Sequence, residues 1–251
     1  MDAFGRLFGR NCLVCNAPSD GVLCPDCKDI LDSECFDSYM VRCPKCFFPM
    51  VSHDYNCPRC HGKHQGKESA QGSDGYIVPI YAVADYNSNL SYSLLHRFKF
   101  FGDKRIAKVA AMYMKRAIDI LDPNGDAFVV PVPCSRQSLR KRGWDQMVQV
   151  CECIDRPMLR ILENINEGLS QQKLLDRSQR MEQGREKRFS MVSAYEKMAN
   201  KGVLDEYTRR PVVLVDDVTT TFSTIQAAAD CLLDMGFKDV KAAVWLYDYK
   251  A

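Results

Sequence analysis

Four Cys-x2-Cys pairs crowd the start of the chain, and no other feature limits its folding so narrowly. They are Cys12/Cys15, Cys24/Cys27, Cys43/Cys46 and Cys57/Cys60. Two thiolates on one tight turn can reach a single ion at about 2.3 Å, and two such pairs close a tetrahedral site. Thirteen cysteines in a secreted protein would suggest disulfides. Here eight stand at knuckle spacing, and the opening stretch MDAFGRLFGRN lacks the apolar core of a secretion signal. Metal binding in a reducing, cytoplasmic setting is therefore expected. The prediction is two structural zinc ions. Sequential pairing gives one zinc ribbon within Cys12–Cys27 and another within Cys43–Cys60; a cross-braced pairing satisfies the same spacing. Four thiolates leave no open coordination position, so the metal would supply folding energy to a segment too short for a core. His53, His61 and His64 stand near enough to substitute as ligands, and Cys35 reads as a lone thiol.

Residues 1–62 thus form a cysteine-rich metal module. The polar, glycine-rich run 63–75 reads as a linker. Residues 76–251 alternate apolar strand patterns with amphipathic helix patterns, which predicts an α/β domain with a largely parallel sheet and helices on both faces. Strand patterns lie at Tyr76–Tyr86, Ala127–Val132 and Val240–Tyr247. Helical spacing runs over Ser88–Phe100, Asp103–Leu121 and Met147–Leu162, and a charged, exposed helix is expected over Ser170–Arg188, with Arg177, Arg180, Arg185 and Arg188 as anion contacts.

Within this domain Pro211–Thr224, PVVLVDDVTTTFST, carries the chemistry. Val212–Val215 is a β-branched apolar run and reads as a buried strand. Asp216 and Asp217 follow, then Thr219, Thr220, Thr221, Phe222, Ser223 and Thr224, and Ile225–Met235 reads as a helix stopped by Gly236. A helix N-terminus offers unpaired N–H groups and partial positive charge to a phosphate. Thr220, Thr221, Ser223 and Thr224 add hydroxyls, and the two carboxylates can accept hydrogen bonds from a sugar diol or sit near a substrate-bound metal. The bland alternative is an Asp turn with a Ser/Thr cap. A second cluster, Arg136, Arg140, Lys141 and Arg142, follows the strand ending at Val132, where open α/β sheets bind ligands; a solvated basic helix end explains the same charges. Trp144 fits either a base-stacking or a core position.

Net charge of +2 and a pI near 7.9 exclude a strongly basic nucleic-acid-binding body. No apolar run is long enough to span a bilayer.

Val213–Thr224 resembles the signature with which type I phosphoribosyltransferases bind 5-phosphoribosyl 1-pyrophosphate (PRPP). Phe222 stands where that signature usually has glycine, and phenylalanine there is expected to obstruct both the positive φ and the close approach of a phosphate. Taken with the cysteine pairs, the block Leu95–Asp103 (LHRFKFFGD) and the block Val130–Gln146 (VPVPCSRQSLRKRGWDQ), the chain resembles the ComF/GntX family, phosphoribosyltransferase-like proteins linked to competence for DNA uptake. Trp144 and Asp145 replace the Phe and Asn of that family's Arg-Gly-Phe-Asn-Gln. The family's later Gln-x-x-Leu and Arg block falls on Gln172, Leu175 and Arg180, with Gln183 where Asn is usual.

The resemblance implies that Asp216 and Asp217 meet the ribose hydroxyls and that Thr219–Thr224 hold the 5-phosphate. Lys99, Arg136, Arg140 and Arg142 would face pyrophosphate and Mg2+. Two functions follow. One is transfer of phosphoribosyl from PRPP to an unnamed acceptor. The other is an inactive adaptor or nucleotide sensor that contacts single-stranded DNA or a helicase-type partner of DNA uptake.

Overall fold

The computed structural model describes residues 11–52, 56–61, 77–165, 188–200 and 202–248. The stretch expected as a linker lies outside them. So do His53, His64, the side chain of His61 and, apart from Arg188, the basic run with Gln172, Leu175, Arg180 and Gln183.

In chain order the elements are α1 (Pro25–Glu34), a 3-10 turn (Phe36–Ser38), β1 (Val41–Arg42), β2 (Pro49–Met50), α2 (Pro58–His61), β3 (Ile80–Asp85), α3 (Asn89–Phe100), α4 (Ile106–Leu121), β4 (Phe128–Pro131), α5 (Arg136–Arg142), α6 (Gln146–Glu152), β5 (Leu162–Asn164), β6 (Phe189–Met191), α7 (Ser193–Ala199), α8 (Asp205–Thr208), β7 (Val212–Thr219), α9 (Ser223–Asp234) and β8 (Val240–Tyr247).

Four strands make the main sheet in the order β3-β8-β7-β4, and every neighbouring pair is parallel. Because successive strand side chains point to opposite faces, each apolar strand feeds two cores. Val129, Val213, Val215, Ala243 and Trp245 point to the face covered by α3, α4 and α6. Phe128, Val130, Val212, Leu214, Ala242 and Val244 point to the face where Ile225, Ala228, Ala229 and Leu232 of α9 pack. Burial on both faces explains why the strands read as continuous apolar runs. The architecture is the expected α/β one, with helices on both faces of a parallel sheet.

β7 runs further than its apolar residues. Its pairing with β8 continues through Val218↔Leu246 and Thr219↔Tyr247, so both aspartates lie within the strand. The helix expected over Met147–Leu162 is corrected: α6 ends at Glu152. Pro157 cannot continue a helix, and the chain instead runs alongside β4. The Val129 N–H donates to the Pro157 carbonyl at 2.9 Å, and the Leu159 N–H to the Val129 carbonyl at 2.9 Å.

The cysteine-rich module packs directly on this domain. Leu13, Leu31 and Cys35 join the core under α3 and α4. Both Glu34 oxygens receive backbone N–H groups at the start of α3, from Leu90 and Ser91 at 2.8 Å each. A carboxylate from one segment thus caps a helix of the other and complements its dipole. The Ile80 N–H donates to the Cys46 carbonyl at 3.0 Å, and Tyr81 Oη donates to the Asp37 carboxylate.

Candidate functional site

At the carboxyl ends of β4 and β7 a cavity of about 400 Å³ opens, lined by Lys99, Arg142, Arg188, Asp216, Asp217 and Thr224 among others. Asp216 is buried, and its Oδ1 receives the Asp217 backbone N–H at 2.9 Å. Burial, reinforced by the neighbouring Asp217 charge, pushes the Asp216 carboxyl up to about 8. Asp217 is more open and is paired with Lys99, Nζ to Oδ1 at 2.8 Å. The pair is therefore asymmetric: one carboxyl is shielded and its titration is pushed up by burial, while the other is paired with a lysine.

Of Thr219–Thr224 only Thr224 lines this cavity, at the start of α9. Its cap position is Phe222, and no side chain there bonds the first-turn N–H groups. Those donors are the ones a helix start presents to an anion. Thr220, Thr221 and Ser223 are exposed, with Thr221 Oγ1 and Ser223 Oγ 3.0 Å apart. Thr224 Oγ1 accepts from Arg188 Nη1 at 2.7 Å, and Thr219 is buried.

The structure corrects the expectation for Phe222. Its φ is 63° and ψ 0°, the left-handed conformation glycine takes without strain. For a bulky residue this region costs about 1–3 kcal/mol and persists only when the surroundings hold it. The ring is held: its centroid lies 4.9 Å from Tyr247 and 6.2 Å from Phe48, and the Arg59 guanidinium stands 4.9 Å above it.

The basic cluster divides. Ser135 caps α5 by accepting the Ser138 N–H, and Gly143 ends it with φ 74°. Arg142 reaches the carboxylate cavity and donates to Gln146. Arg142 Nε and Gln146 Nε2 are buried there without a hydrogen bond. Arg140 is exposed and does not line this cavity; Arg136 lines a neighbouring one of about 650 Å³. Trp144 packs at the core margin, 5.1 Å from the Phe98 ring, with Lys104 Nζ 5.5 Å from its own. Asp145 caps α6 through the Met147 and Val148 N–H groups, and its other oxygen accepts from the Cys134 N–H at 3.2 Å. Sequence reasoning passed over Gln146 as a lining residue, although it closes the motif block. It had no signal for Phe48 or Arg59.

The eight cysteines gather as two sequential sets, Cys12/Cys15/Cys24/Cys27 and Cys43/Cys46/Cys57/Cys60, with the sulfurs of each set within 4.8 Å of one another. That resolves the pairing against the cross-braced alternative. Sulfur separations of 3.6 Å (Cys15–Cys24), 3.6 Å (Cys46–Cys57) and 3.9 Å (Cys43–Cys60) suit the roughly 3.8 Å edge of a tetrahedron with bonds of about 2.3 Å. They are far too long for disulfides. The donor sets fit two zinc ions.

Fold and site together define a parallel α/β domain that carries two four-cysteine centres. No family model matches the chain. It is 28% identical over 222 residues to "Competence protein ComFC" of Streptococcus pneumoniae, covering 88% of this chain and 86% of that protein. To "Competence protein ComFC" of Bacillus subtilis it is 26% identical over 159 residues, 62% of this chain, and the match spans 58% of that relative's length. The chain is thus similar to proteins named ComFC over most of its length. Among solved structures, the allosteric regulatory enzyme of purine biosynthesis aligns with a TM-score of 0.34 and 19% identity over 55% of this chain and 26% of that one. That alignment is too partial to bear on the fold, which rests on the sheet order. Among the described residues no helix is long and apolar enough to cross a membrane.

Proposed function

We propose that the cavity at the carboxyl ends of β4 and β7 binds PRPP together with Mg2+ and serves transfer of its phosphoribosyl group, in the context of competence and DNA uptake. The observation that carries this is one juxtaposition: Asp216, Asp217 and Thr224 of the uncapped α9 start line one cavity together with Lys99, Arg142 and Arg188. In this reading Asp216 and Asp217 meet the ribose diol, the α9 start and the hydroxyls of Thr220–Thr224 take the 5-phosphate, and Lys99 and Arg142 take pyrophosphate. In the transfer, the bond from ribose C1 to pyrophosphate breaks, pyrophosphate leaves with the electron pair, and the acceptor bonds to C1. The residues contribute positioning and charge stabilisation rather than a covalent intermediate. The two cysteine centres take no part in the bond-making step.

A second reading, a nucleic-acid-binding adaptor with the same fold, has its own observation. Phe100 and Phe101 are 72% and 75% exposed beside His96, with ring separations of 4.7 and 5.7 Å, and exposed rings stack on unpaired bases. Thermal unfolding separates the two. PRPP with Mg2+ is expected to raise the melting temperature more than ribose 5-phosphate or pyrophosphate alone, and Lys99→Ala to reduce that rise. A rise with a single-stranded oligonucleotide and none with PRPP would overturn the first reading in favour of the second.

A further inference from the structure

The phosphate loop and the second cysteine centre meet at one side chain. Phe222 sits between the hydroxyls of Thr221 and Ser223 in a backbone conformation that belongs to glycine, φ 63°. Its ring lies in a cluster with Phe48 and Tyr247, which are themselves 5.7 Å apart and edge-on. Phe48 belongs to the second centre: its carbonyl accepts the Cys43 N–H at 3.0 Å. Arg59 belongs to it too, standing between Cys57 and Cys60. Both Arg59 Nη atoms are buried, and the guanidinium meets both the Phe222 ring and the sulfurs of the cysteine cluster, Cys46 first among them. Four thiolates around a divalent ion carry two net negative charges, which makes the loaded centre the natural counter-charge for a buried guanidinium.

We infer that Arg59, Phe48 and Tyr247 are positioning residues that clamp Phe222, so that the second cysteine centre holds the phosphate loop in its binding conformation. Glycine would give that backbone its conformation unaided; here side chains from a distant segment impose it. The metal centre then acts on ligand binding without touching ligand. The ligand part of this inference rests on the PRPP reading above; the loop-clamping part does not.

The test is a double-mutant cycle on the full chain with two zinc ions per chain verified by metal analysis. Arg59→Ala is expected to weaken PRPP binding by about tenfold with Phe222 present, and by no more than about twofold in a Phe222→Gly background. Equal losses in both backgrounds would overturn the clamp. Phe48→Leu replaces Arg59→Ala if the latter loses zinc. Amide hydrogen exchange over 219–226 without ligand is the second readout. Arg59→Ala should speed exchange with Phe222 but not with Phe222→Gly. If the wild type fails to bind PRPP, the PRPP reading falls while the exchange cycle still decides the clamp. If PRPP binds and the exchange cycle shows no coupling, the clamp falls and the reading stands.

Discussion

Asp216 is where the strand's interior meets the loop's chemistry, and its protonation links stability to pH. The folded protein keeps the proton up to about 8 because the carboxyl is buried beside Asp217, whereas an unfolded aspartate releases it near 3.9. Between those values the folded state binds more protons than the unfolded one. Its contribution to stability is therefore full below about pH 4 and declines as pH rises through about 8, with a slope of at most about 1.4 kcal/mol per unit. Asp216→Asn removes that slope. The variant should gain in melting temperature over the wild type from pH 5 to pH 9, and melting curves that stay parallel across this range would show the carboxyl to be ionised when folded. The residue scale is also where sequence reasoning was least reliable. Phenylalanine at 222 reads as an obstacle to a left-handed turn, since the rings and guanidinium that hold it come from Phe48, Arg59 and Tyr247. No local pattern announces such partners.

Among the elements, the long ones were legible. β7, β8 and α4 are continuous apolar or amphipathic runs, and tertiary packing uses the periodicity the sequence displays. The short elements around the cavity were not. α6 stops at Glu152 because Pro157 follows, and the apolar residues after it serve an extended segment beside β4 rather than a helix face. Asp145 is a clearer case: it stands where the ComF-type block has asparagine, and the two are nearly equal as helix caps. Its carboxylate receives Met147 and Val148 N–H groups at 2.9 and 3.3 Å and ties Cys134 to the same point. Asp145→Ala should therefore cost about 1–2 kcal/mol of unfolding free energy in urea, and Asp145→Asn well under half of that. Equal losses for both would mean the charge rather than the cap matters.

At the scale of the molecule, the cysteine pairs and the acidic loop read from sequence as separate systems with a linker between them. The structure joins them. Glu34 caps α3, Cys46 receives the start of β3, and Phe48 with Arg59 reaches the phosphate loop. Spacing identified the ligand sets because chelation is local, but docking depends on surfaces that spacing does not encode. The role proposed for the whole arrangement is a single pocket for a phosphorylated ribose. Calorimetric titration of PRPP with Mg2+ into the zinc-loaded full chain, beside Asp216→Asn/Asp217→Asn, measures that pocket directly. The expected result is saturable binding at one site per chain with a Kd below about 1 mM, abolished in the double variant. Absence of heat at millimolar PRPP, from a folded protein with both zinc ions in place, would contradict it.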